Sequence, residues 1–203
     1  AMVQSNLGEA YLESANLKRE PKNILDQSVE TLSEAARLLK EQGDWGNYPI
    51  ALSNLGFAFF KLGNLGSDGE KDLRRSIEKF SEVIRYSIEQ RNWAHSSRTH
   101  DNRGLAYRSL AKLGIDPELN LKLCIDDHTK AANLWKEQKN WESYAASMEN
   151  IGLVYWSLVE QQVSPEENFS HSVEALSEAA RVQRERAARL LGLQRVDVGQ
   201  VLA

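Results

Sequence analysis

Four asparagines, Asn6, Asn54, Asn102 and Asn150, recur at a step of 48 residues, and each stands two positions before a glycine, at Gly8, Gly56, Gly104 and Gly152. A primary amide carries two N–H donors and a carbonyl acceptor. It matches both halves of a peptide group irrespective of the guest's side chain, so a ladder of amides suits the reading of a polypeptide backbone. The bland alternative is that each Asn bonds an adjacent helix or caps a local backbone group. Around the ladder lie Phe57, Phe60, Leu105, Leu153 and Trp156, an apolar strip if they share a face, together with Arg98 and Arg108. Guanidinium groups pair with carboxylates through two parallel bonds. All eleven residues are taken as candidate peptide-binding positions.

The other reactive residue types point away from catalysis. His95, His100, His128 and His171 do not form a metal-ligand spacing, and Cys124 has no second cysteine to complete one. Cys124 takes the place held by Ser28, Ser76 and Ser172 in the other units, which favours a buried packing role. The repeated N-x-G leads into an aromatic on a helix, so it is not a phosphate-binding loop. Acidic pairs such as Asp126 and Asp127 read as solvated charges. No catalytic residue, metal or cofactor is expected.

These residues must be held by helices. The chain has 203 residues, only four prolines, and 25 basic against 29 acidic side chains, for a net charge of −4. Nothing resembles the basic stripe that a nucleic acid demands. No apolar run approaches the ~18 residues of a membrane span, and the start lacks signal-peptide order. A cytoplasmic protein with a protein or peptide partner, without nucleic acid and without membrane insertion, is the expectation.

The repeat extends well beyond the Asn–Gly pair. Tyr11, Phe59, Tyr107 and Tyr155 keep the step, and a second block begins 20 residues after each glycine, as in "SVETLSEAARLL" from Ser28 and "SIEKFSEVIRYS" from Ser76. "EQGDW", "EQRNW" and "EQKNW" close three units and place Trp45, Trp93 and Trp141 at the junctions, where they are expected to wedge between successive helices. Each unit reads as two antiparallel helices. Gly43 is suited to end one in the left-handed conformation, and Asp44, Asn92 and Asn140 to cap the next. On a helical wheel Leu52, Leu55, Gly56, Phe59 and Leu62 share the buried side, opposite Ile50, Asn54, Phe57 and Lys61. A glycine on the buried side admits a close helix crossing, with Ala35, Val83, Ala131 and Ala179 as the small residues expected to meet it.

Leu-Gly, an aromatic three positions on, and a small residue on the second helix resemble the tetratricopeptide repeat, through Leu55, Gly56, Phe59, Ser76, Phe80 and Val83 in one unit and Leu7, Gly8, Tyr11, Ser28, Leu32 and Ala35 in another. The 48-residue period exceeds the family's 34 and is similar to long-period bacterial, notably cyanobacterial, arrays. The resemblance implies an all-α, right-handed superhelical solenoid of antiparallel helix pairs, whose first helices line the concave side and whose asparagines bind peptide there. Units are expected at about 1–43, 44–91, 92–139 and 140–187, with 188–203 as a partial fifth helix, because "DVGQVL" from Asp197 echoes "NIGLVY" from Asn150. The lysine-based carboxylate clamp of some relatives is missing, since Ser5, Ser53 and Asp101 stand where its first lysine would be sought. The functional expectation is a non-catalytic peptide-binding scaffold. The alternatives are a self-assembly module, with homo-oligomers formed through the terminal repeats, and a regulatory or sensor region of a larger signalling or peptidase protein.

Overall fold

A computed structural model of the chain describes residues 1–14, 21–65 and 69–191. Among these residues there are eight α-helices and no strand: α1 (Met2–Ser14), α2 (Pro21–Glu41), α3 (Tyr48–Gly63), α4 (Gly69–Glu89), α5 (Trp93–Lys112), α6 (Pro117–Glu137), α7 (Trp141–Glu160) and α8 (Pro165–Leu190). Each helix packs on its neighbours in sequence, which makes the molecule a solenoid of helix pairs. The odd-numbered helices also touch from pair to pair, α1 with α3 and α3 with α5. No two even-numbered helices meet to that extent, so the first helices of the first three pairs lie on the shorter, concave side. The fifth helix expected from "DVGQVL" falls outside the described residues.

The turns between pairs follow from backbone hydrogen bonding. Gly43 takes φ +66°, and the amide of Asp44 reaches back to the carbonyl of Leu39 at 2.9 Å, closing the end of α2. The same closure recurs from Asn92 to Ser87 (2.8 Å) and from Asn140 to Trp135 (2.9 Å). There the left-handed residues are Arg91 (φ 53°) and Lys139 (φ 58°), whose β-carbons crowd the backbone. Lys139→Gly is therefore expected to stabilise the array by about 1 kcal/mol, read from urea unfolding.

Asn92 and Asn140 then cap the following helices, accepting from the amides of His95 and Ser143, both at 3.2 Å. Asp44 accepts from the amide of Asn47 at 3.1 Å in the same manner, yet α3 begins only at Tyr48. The cause is Pro49, which has no N–H to close the first turn.

The conserved-in-register glycines do meet the second helix closely, but against different residues from those expected. A β-carbon on Gly8 would lie 2.5 Å from Leu32 Cγ, on Gly56 2.9 Å from Phe80 Cε1, on Gly104 3.0 Å from His128 Nε2, and on Gly152 2.6 Å from Leu176 Cγ. Each glycine makes room for the large side chain 24 positions on. Ala35, Val83, Ala131 and Ala179 are buried but are not what the glycine faces. One turn earlier on the second helix, the hydroxyls of Ser28 and Ser172 donate to the carbonyls of Gly8 and Gly152, both at 2.8 Å.

Two of the three junction tryptophans differ from expectation, while Trp141 is half-buried and packs against the core of the last repeats. Trp45 and Trp93 are 46% and 44% exposed. Trp45 lies flat over Tyr86 (centroids 5.9 Å apart) and edge-on to Tyr48, on top of the helices instead of between them. The wedge is the tyrosine one turn further in. Tyr48 and Tyr144 are buried and donate their hydroxyls to Glu82 and Glu178 on the next second helix, at 2.8 and 3.0 Å. Burial and the carboxylate partner push the Tyr144 hydroxyl up to about 12.

Candidate binding groove

The spaces between the first helices form two hollows. The first, of about 640 Å³, lies among α1, α3 and α5 and is lined by Glu9, Ile50, Ser53, Asn54, Phe57, Asn92, Ala94, His95, Arg98 and Asn102. Four of the candidate residues, Asn54, Phe57, Arg98 and Asn102, thus converge on one site. The second hollow, of about 400 Å³, lies between α5 and α7 and includes Arg98, Asp101, Trp135, Asn140 and Ser143. Arg98 forms part of the wall shared by both.

The amides of the ladder are not sealed in the core. Asn6 is exposed, and Asn54, Asn102 and Asn150 are half-buried. None of the four side chains makes a hydrogen bond among the described residues. The structural alternative, that each amide bonds a neighbouring helix, finds no bond to support it.

The apolar strip is divided. Phe57 and Phe60 stack with centroids 5.8 Å apart, and Lys61 places its ammonium 5.2 Å from the Phe57 ring. Phe60 packs partly against the buried Leu73, Ala106 and Leu110, so it belongs as much to the joint between repeats as to the groove. Leu105 and Arg108 are half-buried on α5, and Leu153 and Trp156 are exposed on α7. Trp156 donates to Glu160 at 3.0 Å and tilts toward Phe169 of α8, 6.2 Å away. Asn6, Phe60, Leu105, Arg108, Asn150, Leu153 and Trp156 are not among the residues lining the first hollow.

The electrostatics of the hollow centre on Arg98. It has no acidic partner among the described residues, and its charge, after burial, is the second reason that the His95 imidazole sits below its ordinary value. Asp101 lies close to it in the second hollow but is already occupied. It accepts from Ser147 Oγ (2.9 Å), Trp135 Nε1 (2.9 Å) and His128 Nδ1 (2.8 Å).

Beside the Asp101 cluster lies a second polar network that the sequence reading missed, centred on Asp127. Asp127, expected to be solvated, is 1% exposed. It accepts from Arg103 Nε and Nη2 (2.8 and 2.7 Å) and is 2.7 Å from His100 Nδ1, while Arg103 Nη1 reaches Ser81 on α4 at 2.8 Å. Burial raises the Asp127 carboxyl, but the bonds from Arg103 and His100 outweigh it and hold the group below the ordinary carboxylate value. Asp126, its neighbour, is exposed as expected and pairs with Lys130. A signal was present in the sequence: His100, Arg103 and His128 fall in register with Leu52, Leu55 and Phe80, all buried and apolar.

Cys124 is buried, and burial pushes its thiol up to about 12, far from a reactive thiolate. Among the described residues no group of three His, Cys, Asp or Glu side chains is placed to hold a metal ion. No helix among them is long and apolar enough to cross a membrane.

No protein-family model matches the sequence, and no curated protein does. Among solved structures, the chain is similar to the de novo designed helical repeat protein DHR64, with 16% identity, a TM-score of 0.49, and 94% of this chain and 96% of that one covered. It is also similar to the DHF58 filament, with 15% identity, a TM-score of 0.46, and 94% and 95% covered. The helical-repeat architecture stands on the eight helices themselves.

Proposed function

We propose that the chain is a non-catalytic scaffold that binds an extended peptide in the groove lined by its first helices, as a long-period relative of the tetratricopeptide arrays it resembles. The observation that carries this reading is the hollow among α1, α3 and α5. There the amides of Asn54 and Asn102, free of internal bonds, stand beside the Phe57 ring and the Arg98 guanidinium. Amides supply sequence-independent bonds to a guest backbone, and the variable neighbours supply selectivity.

The reading is tested by selecting peptides against the folded chain and measuring their affinity for variants. Asn54→Ala and Asn102→Ala are each expected to weaken binding about tenfold, the value of one or two lost hydrogen bonds, with unchanged helical circular dichroism. Loss of fold in Asn102→Ala, or unaltered affinity in both variants, refutes it. Phe60 is a poor probe because truncation there also loosens the joint with α5.

A second reading, association of copies through the terminal repeats, draws support from Phe169 and Val173. Both stand exposed on α8, whereas Leu121 and Leu73, in register with Phe169, are buried. Light scattering at several concentrations separates the two readings: a constant monomer mass removes the second.

A further inference from the structure

We propose that the peptide held in this groove is acidic, with two carboxylate side chains about five residues apart, one seated at Arg98 and the other at Arg108, and an apolar residue between them. The inference rests on the groove-binding reading and names its guest. Six arginines among the described residues, Arg37, Arg74, Arg75, Arg103, Arg181 and Arg186, have a carboxylate partner within the chain. Arg85, Arg91, Arg184 and Arg189 have none among those residues, and neither do Arg98 and Arg108, which are the two of these six that stand on α5. Arg98 forms part of the wall of both hollows, and the carboxylate closest to it in sequence, Asp101, is saturated by three donors. Arg108 keeps its Nε shut off from solvent with no acceptor. Its two terminal nitrogens, also without a bond but not shut off, are the donors that a carboxylate passing beyond the hollows along α5 would meet.

The spacing sets the guest. Arg98 and Arg108 are ten positions apart on α5, ~15 Å along its axis at ~1.5 Å per residue. Asn102 and Leu105 fall between them within ~120° of the helix circumference, an amide and an apolar contact between two cations. An extended chain advances ~3.3 Å per residue, so ~15 Å corresponds to four or five residues. Glu9, on the α1 wall of the first hollow, repels an acidic side chain there and directs it to α5. His95, kept neutral by burial and by Arg98, adds no competing cation.

The test is a random 12-residue peptide library displayed on phage and panned against the whole chain, with the enriched sequences synthesised and titrated. Paired Asp or Glu four to five residues apart around an apolar residue are expected. Those peptides should lose about tenfold in affinity or more with Arg98→Ala or Arg108→Ala, and should weaken as salt rises from about 50 to about 500 mM. Peptides without paired acids, or indifferent to both arginine variants, overturn the acidic guest; if they still lose affinity with Asn54→Ala and Asn102→Ala, the groove reading stands alone. Peptides indifferent to all four variants, or a library that yields no binder, overturn both. Equal affinity for a twelve-nucleotide oligo-dT, run in parallel, also overturns the acidic peptide in favour of a nucleic acid.

Discussion

Asp127→Ala is expected to destabilise the array by about 3–5 kcal/mol, the cost of leaving a buried cation without its partner. The carboxylate removed is 1% exposed and holds both Arg103 and His100. Arg103 is nearly enclosed and has Ser81 as its remaining contact across the joint. Because Arg103 spans α4, α5 and α6, the damage should be local to the middle of the array. Amide hydrogen exchange should accelerate most in those three helices. The fourth repeat supplies the control. Met148, Ile151 and Ala175 stand there in register with His100, Arg103 and Asp127. The combined variant His100→Met, Arg103→Ile, Asp127→Ala removes all three polar partners together, and is expected to be neutral or up to about 4 kcal/mol more stable than the natural chain. Loss of stability in the triple variant equal to that in Asp127→Ala would show that the polar groups matter for their shape and not for their pairing.

The same network sets an acid limit. The Asp127 carboxyl titrates near 3.9 in an unfolded chain and lower in the fold. Its contribution is complete above about pH 5 and drains away as pH falls through 3.9 toward the folded value. The triple variant lacks this component, so its denaturation midpoint should fall less between pH 5 and pH 3 than that of the natural chain.

The architecture was legible in the sequence because a solenoid repeats its packing at the interval at which it repeats its residues. Gly43 marked the first turn and Asn92 and Asn140 the helix starts after the next two, and the wheel of α3 separated Leu52, Leu55 and Phe59 from Asn54 and Phe57 correctly. What lay beyond reach depended on the phase of one helix against another. Whether Gly56 faces Phe80 or Val83 is decided by the rotation of α4 about its own axis, and the connecting segment carries no periodic signal from which to read it. Tyr48 and not Trp45 became the wedge for a similar reason, since the end closure of α2 leaves Trp45 above the joint. Asp127 failed for a different reason. A carboxylate beside a second carboxylate looks solvated until its partners are known, and those partners lie 24 and 27 residues away on another helix.

Gly56→Leu is expected to cost about 3 kcal/mol or more, because the new side chain has no space to enter. A β-carbon there already stands 2.9, 3.0 and 3.3 Å from Phe80 Cε1, Cδ1 and Cζ, and Phe80 is fully buried, so its ring cannot swing aside. Helix propensity works in the opposite direction, since leucine is favoured over glycine by under about 1 kcal/mol in a helix interior. It is too small to offset the clash. Gly46→Ala is the contrasting control: its β-carbon would meet nothing nearer than Asp44 Oδ1 at 3.6 Å, and little change should follow. Phe80→Ala alone is expected to cost about 3–5 kcal/mol by opening a cavity. Introduced into Gly56→Leu it should cost far less, since the leucine occupies the volume that the ring vacates. Unfolding free energies of the four proteins in this cycle give the coupling directly. A strong favourable coupling means that glycine is required there by the ring it faces. Additive losses would mean that the backbone of α3 itself demands the glycine, and the explanation of the 48-residue glycine series would have to change for every unit.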